Sequence, residues 1–312
     1  MGTLNEVESK VPSVISVAET RALLDGSPDE AMVLADVRWY LDGRDASQAF
    51  RDGHLPGAVF VDVDRDLADH HNADRRLGRH PLPTPQDFAR SMARLGIGDR
   101  SHVIAYDDTG GMTAARLVVM LRMIGRSASL LDGGIGAWSA EFPDALESGH
   151  GRSPATAVFT PTPWPAESLA DYDDVRHVAE STDRSSRNSP VLIDARAPDR
   201  FEGRAPTAVP GLDPRPGHIP GAVNAPWAAV LDPESKTMRS PHDVPVDASV
   251  LCGGRTYRAF NSVYQEAIVV LVCEHIVHCA HPYNVFRLLS GALATYEAHG
   301  PSTLYSTVSA LA

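Results

Sequence analysis

Cysteine is scarce in this sequence: only Cys252, Cys273 and Cys279 occur among 312 residues. An odd and sparse set does not make a disulfide framework, and it suits a reducing compartment. A metal site is not expected either. Cys273-x5-Cys279 has His275, His278 and His281 close by, but it lacks the tighter spacing and the second ligand pair that zinc sites use. No cofactor is expected. Long apolar runs are missing as well, none reaching the roughly 18 residues of a membrane helix, and the amino terminus MGTLNEVESK has no basic stretch leading into an apolar one. The expected location is the cytoplasm, with no membrane partner. Met1-Gly2 also opens myristoylated chains, but Asn5-Glu6 departs from the Ser/Thr pattern of that motif. Positive charge is in deficit: 28 Lys and Arg against 40 Asp and Glu give a net charge of −12. That field excludes nucleic acid as a partner, and a small anionic substrate would have to be drawn in by a local basic pocket.

What is present is an ordinary globular balance, 43% hydrophobic and 22% charged, in a chain too long for one core. The chain repeats itself. Val33-Leu34-Ala35-Asp36-Val37-Arg38 returns as Val191-Leu192-Ile193-Asp194-Ala195-Arg196, 158 residues on. Gly53-His54-Leu55-Pro56-Gly57-Ala58-Val59 returns as Gly217-His218-Ile219-Pro220-Gly221-Ala222-Val223, 164 residues on, so the second copy carries six extra residues between the two motifs. Leu130-Leu131-Asp132-Gly133-Gly134 and Leu288-Leu289-Ser290-Gly291-Ala292 close the copies at the 158 spacing. The expected organisation is a first domain over 1–145, a linker over 146–165, a second domain over 166–300 and a tail over 301–312.

Alternating β-branched runs and helical segments give the fold class as α/β: two tandem sandwich domains, each around a mainly parallel sheet. Val103-Ile104-Ala105-Tyr106 reads as a buried strand. Thr84 and Pro85 open a helix whose Phe88, Met92 and Leu95 share a face, with Gly96 as the stop. A second helix is expected from about Thr113 to Gly125. Residues 147–154 and 161–165 read as extended linker.

Taken together, the two Asp-x-Arg motifs, the two Gly-His-[Leu/Ile]-Pro-Gly-Ala boxes and Leu-Asp-Gly-Gly with Trp138 resemble the tandem rhodaneses, the family of thiosulfate and 3-mercaptopyruvate sulfurtransferases. The resemblance runs over about residues 15–240. It implies a non-catalytic first domain and a second domain in which a cysteine follows a strand, wrapped by a loop of N–H donors. Its implied partners are a small anionic sulfur donor and a thiol or cyanide acceptor. In the first copy Asp107 and Asp108 stand in that loop, and neither can carry sulfur.

In the second copy, the 158 spacing from Asp107 falls on Gln265, which is no nucleophile. Chemistry points instead to Cys252, which ends an apolar run and is followed by Gly253, Gly254, Arg255, Thr256 and Arg258. Two glycines permit a tight loop around a thiolate, and the segment after Ala259 can supply a helix N-terminus. Cys252 stands 13 residues before Gln265, and residues 251–312 contain neither Asp nor Lys. Three readings stay open: a sulfurtransferase through Cys252, a degenerate binding protein, and a phosphatase on Cys252-x5-Arg258. Cys273 and Cys279 read as buried small hydrophobes.

Arg196 is the candidate for gripping a substrate anion, with a structural ion pair to Asp194 as the alternative. The Phe-Arg-Gly arginine of the family's mercaptopyruvate enzymes is absent from Phe201-Glu202-Gly203, with Arg200 or Arg204 as substitutes, and the cationic Arg255 and Arg258 favour thiosulfate as donor. His54 and His218 are expected to satisfy turn carbonyls.

Overall fold

The computed structural model describes residues 11–26, 32–69, 71, 80–151, 154–181, 192–204 and 216–239. Five strands make the main sheet: β1 (Val14–Ile15), β2 (Met32–Asp36), β3 (Val59–Phe60), β4 (His102–Tyr106) and β5 (Ala128–Leu131). Their order is β1-β5-β4-β2-β3 and every pairing is parallel. A parallel sheet needs both faces covered, and β4, at its centre, is buried at all five positions. The helices that cover it are α1 (Val17–Gly26), α2 (Ala46–Asp52), α3 (Val63–Leu67), α4 (Pro85–Arg94), α5 (Ala114–Met123) and α6 (Gly134–Glu141). The expected strand and both expected helices are present.

Helix α4 shows why these calculations from sequence succeed locally. The Thr84 side chain accepts the Asp87 N–H at 3.1 Å, Pro85 takes the first turn, and Phe88, Ala89 and Met92 are buried on one face. The chain leaves through Gly96 at φ +73°. Asp36 and Tyr106 are register partners at the ends of β2 and β4. The loops that follow these two strands therefore open at the same edge of the sheet, where parallel α/β folds place their sites.

His102, at the start of β4, is buried between Ser127 Oγ on Nδ1 (2.5 Å) and Ser129 Oγ near Nε2 (3.2 Å). Burial, aided by the Arg122 charge, pushes its pKa down from 6.5 to about 4. The native state then binds fewer protons than the unfolded chain between these values, so stability is full above pH 6.5 and falls as the pH drops toward 4. The expected loss is roughly 2–4 kcal/mol across that window. Urea unfolding of the native protein and of His102→Gln checks this: the variant should lose that part of the pH dependence.

The chain beyond α6 holds no helix or strand through 154–165, yet it is anchored. Phe159 is buried edge-on to Phe88, with ring centroids 5.8 Å apart, and Trp164 packs on Phe88 while its Nε1 donates to the Pro83 carbonyl at 2.8 Å. After α7 (Tyr172–Glu180) the opening of the first sheet is repeated by β6 (Ile193–Asp194), α8 (Pro198–Phe201) and β7 (Val223–Asn224). In the first copy Ala35 pairs with Val59 and Asp36 with Phe60; in the second Ile193 pairs with Val223 and Asp194 with Asn224. The register thus follows the two sequence spacings of the repeat.

Candidate active site

The Asp-x-Arg motif builds the same object twice. Arg38 donates Nε to Asp36 Oδ1 at 3.0 Å and Nη2 to Asp36 Oδ2 at 2.7 Å, and Nη2 also reaches the Gly53 carbonyl at 2.7 Å. Arg196 donates Nε to Asp194 Oδ1 at 3.0 Å, Nη2 to Asp194 Oδ2 at 2.5 Å, and Nη2 to the Gly217 carbonyl at 2.8 Å. All four residues are buried. For Arg196 the structure shows an ion pair with Asp194, the counterpart of the pair that Arg38 makes with Asp36. Arg204 is likewise engaged, with Glu202 and Asp199.

The histidines of the two Gly-His boxes are structural, as expected. His54 Nδ1 bonds the Phe50 carbonyl at 2.8 Å and its ring stacks on Phe50 at 3.9 Å; His218 Nδ1 bonds the Phe201 carbonyl at 2.8 Å and stacks on Phe201 at 3.7 Å. Each clamps the box to the helix before it.

The loop after β4 is a completed anion cradle. Asp107 is fully buried; its Oδ1 accepts the N–H groups of Thr109 (2.9 Å) and Gly111 (2.8 Å), and its Oδ2 accepts those of Thr113 (2.8 Å) and Ala114 (3.0 Å). The Thr113 hydroxyl lies 3.0 Å from the same oxygen but gives its one hydrogen to the Val37 carbonyl at 2.6 Å. Four N–H donors converge on one carboxylate at the start of α5, where the helix dipole also favours negative charge. Asp107 cannot carry sulfur; in the structure its carboxylate fills the cradle itself. Asp107→Ala should leave those donors buried and unpaired and lower stability by about 2–4 kcal/mol, read as a drop in the urea midpoint at constant m. Asp107→Asn should cost less.

Beside the cradle, the Tyr40 hydroxyl donates to Asp108 Oδ2 at 2.7 Å, and burial together with this carboxylate holds the phenol protonated, its pKa pushed up to about 12. The cradle is roofed by the second copy. Trp227–Val230 repeats α3 as a 3-10 turn at the 164 spacing, Val230 and Leu231 enter the first core, and Leu231 bridges Met238 to form a strap. Met238 N–H donates to Asp132 Oδ1 at 2.8 Å, and a Cβ at Gly110, whose φ is +83°, would lie 2.8 Å from the Lys236 carbonyl.

A second titratable group escaped the sequence reading. His80 Nε2 lies 2.8 Å from Asp64 Oδ1, the Trp39 indole N–H donates to Asp64 Oδ2 at 3.0 Å, and the Trp39 ring meets His80 edge-on at 5.3 Å. An imidazole oriented by a carboxylate can hold or pass a proton. The fifteen residues between Asp64 and His80 form no motif that would have paired them.

Cys252 and its neighbours Gly253, Gly254, Arg255, Thr256 and Arg258 lie outside the described residues, as do Gln265, Cys273 and Cys279. Among the described residues no cluster of three or more His, Cys, Asp or Glu could hold a metal ion, and no helix is long and apolar enough to cross a membrane.

Comparison with known proteins now decides the family. The model of the rhodanese-like domain matches residues 16–141. The human 3-mercaptopyruvate sulfurtransferase is 38% identical over 235 residues, covering 73% of this chain and 72% of its own length. The chain belongs to the rhodanese family of sulfurtransferases. Within that family it is also 34% identical over 222 residues to SseB of Mycobacterium tuberculosis, provisionally named a thiosulfate sulfurtransferase, with 70% of this chain and 72% of SseB covered. The crystal structure of the 3-mercaptopyruvate enzyme SseA from Escherichia coli superposes with a TM-score of 0.64 at 25% identity, over 88% of this chain and 98% of SseA. The tandem rhodanese fold, two α/β units around mainly parallel sheets, is thereby shared along nearly the whole of that enzyme.

Proposed function

We propose that this rhodanese moves a sulfane sulfur from thiosulfate or 3-mercaptopyruvate to cyanide or a thiol through a persulfide on Cys252. The thiolate attacks the sulfane sulfur; the sulfur–sulfur bond of thiosulfate breaks and sulfite leaves with its electron pair. The acceptor then attacks the outer sulfur, and the Cys252 thiolate leaves, so donor and acceptor use one nucleophile in turn. Backbone N–H groups of Gly253 to Thr256 would hold the persulfide anion, and Arg255 and Arg258 would bring positive charge to a chain that is otherwise acidic.

The observation that carries this reading is the cradle around Asp107. It is a loop of the same fold, in the same chain, whose four N–H donors already enclose a carboxylate. Replacing the carboxylate with a thiolate gives the chemistry that sulfur transfer needs. Arg196, whose Nε and Nη2 are paired with Asp194 and Gly217, would act on the donor only through its remaining N–H groups.

Turnover with cyanide and each donor tests the proposal, with an aryl phosphate as the control for phosphatase chemistry at Cys252-x5-Arg258. Thiocyanate should form from thiosulfate with the higher kcat/KM, and Arg255→Ala should reduce that value by about tenfold, the equivalent of one partly solvated charge-assisted contact. Aryl phosphate hydrolysis without thiocyanate formation would replace sulfur transfer by phosphoryl chemistry, and silence in both assays would leave a binding protein.

A further inference from the structure

A cavity of about 190 Å³ lies between α3, the chain that follows it and α4. Three guanidiniums line it: Arg65 from α3, and Arg90 and Arg94 one turn apart on the same face of α4. Two of the carboxylates around them, Asp66 and Asp87, are their ion-pair partners. Asp66, fully buried, is shared by Arg65, which donates Nη2 at 2.9 Å, and by Arg94. Asp87 takes Arg90 on one oxygen and the Thr84 hydroxyl on the other, at 2.6 Å. Asp69 accepts the His71 N–H at 2.8 Å.

A guanidinium carries five N–H donors in a planar fork. The bonds just given engage Nε and Nη2 of Arg65 and only Nη2 of Arg90 and of Arg94, and Arg65 Nη1 lies 4.0 Å from Asp62 Oδ2. The three arginines line the cavity together with Ser91 and His71, and their side chains are 50–76% exposed, so a ligand can reach them. Because one buried carboxylate serves two arginines, Arg65 and Arg94 are held in place before anything binds. The complement of such a wall is a small ligand with acceptor oxygens on several sides. We propose that this cavity is a binding site for a tetrahedral oxyanion, a phosphate or sulfate group, on the first domain.

The formal charges of Arg65, Arg90 and Arg94 are more than balanced by Asp62, Asp66, Asp69 and Asp87, so selectivity rests on directed N–H donation rather than on net charge. A water occupies about 30 Å³ of liquid, and the cavity has room for an ion several times that size.

Calorimetric titration of the full chain tests the site, using inorganic phosphate, sulfate and glycerol 2-phosphate at constant ionic strength set with chloride. Saturable binding of phosphate is expected, weakened at least tenfold in Arg90→Gln and in Arg65→Gln, with sulfur transfer unchanged in Arg90→Gln. Tighter binding of glycerol 2-phosphate than of phosphate or sulfate would assign the site to a phosphomonoester, and the reverse order to a free inorganic oxyanion. Arg90 is exposed, and its variant should fold as the native chain does, which the thermal midpoint verifies. Heats matching the chloride control, or unchanged affinity in folded Arg90→Gln and Arg65→Gln, would overturn the inference. So would loss of phosphate binding in Cys252→Ser but not in Arg90→Gln, because the anion would then sit at the proposed cysteine loop. Failure of the sulfurtransferase proposal alone would leave the Arg90→Gln result unaffected.

Discussion

Cys252→Ser should abolish cyanide-dependent thiocyanate formation, by at least about a thousandfold, because a serine hydroxyl near neutral pH can neither attack the donor nor carry the sulfur. Cys273→Ser and Cys279→Ser should retain the native rate. The contrast matters because all three cysteines fall within the last 61 residues and only one of them stands before paired glycines. If the activity instead vanished with Cys273 or Cys279, the nucleophile would have been misplaced. Uniform activity in all three variants would remove cysteine from the mechanism altogether.

Arg196→Met should lower stability by about 3–5 kcal/mol, since it leaves the buried Asp194 carboxylate without its bidentate partner. The urea midpoint measures this, and Arg38→Met should behave alike because Arg38 and Asp36 make the same pair with the same carbonyl contact. Both arginines also tie their strand to the glycine of the Gly-His box, so the loss should exceed that of any exposed ion pair, such as Arg21 with Asp25. A folded Arg196→Met protein of native stability but with a greatly raised KM for thiosulfate would restore the anion-gripping role.

The repeat was legible because its signals are local. Thr84, Gly96 and Gly125 mark helix ends by their own side chains or lack of one, and Asp36 and Asp194 end strands that pair at the spacings read from sequence. Net length was less informative. Phe201 stacks on His218 as Phe50 does on His54, yet 16 residues separate Phe201 from Gly217 where 3 separate Phe50 from Gly53. The helix in turn arrives early: Phe201 follows Arg196 by 5 residues, whereas Phe50 follows Arg38 by 12. The six extra residues are thus the balance of a deletion and a larger insertion.

The site was less legible wherever it depends on closure in three dimensions. Asp107 could be seen to carry no sulfur, but its four N–H donors come from residues 109 to 114 and converge only when that loop folds back onto β4. Nothing in the pattern around Arg196 announces its bond to the Gly217 carbonyl, 21 residues away. The strap of Leu231 to Met238 over the first domain's cradle joins residues more than a hundred positions apart, Met238 with Asp132, and no periodicity reports that.

The central claim is that sulfur rests covalently on Cys252 between donor and acceptor. The most direct measurement is intact mass followed by peptide mapping, after exposure to thiosulfate or 3-mercaptopyruvate and removal of the excess. The account predicts one added sulfur, located on the peptide that contains Cys252 and lost on addition of cyanide. A protein whose mass does not change, or whose added sulfur maps to Cys273 or Cys279, would contradict it.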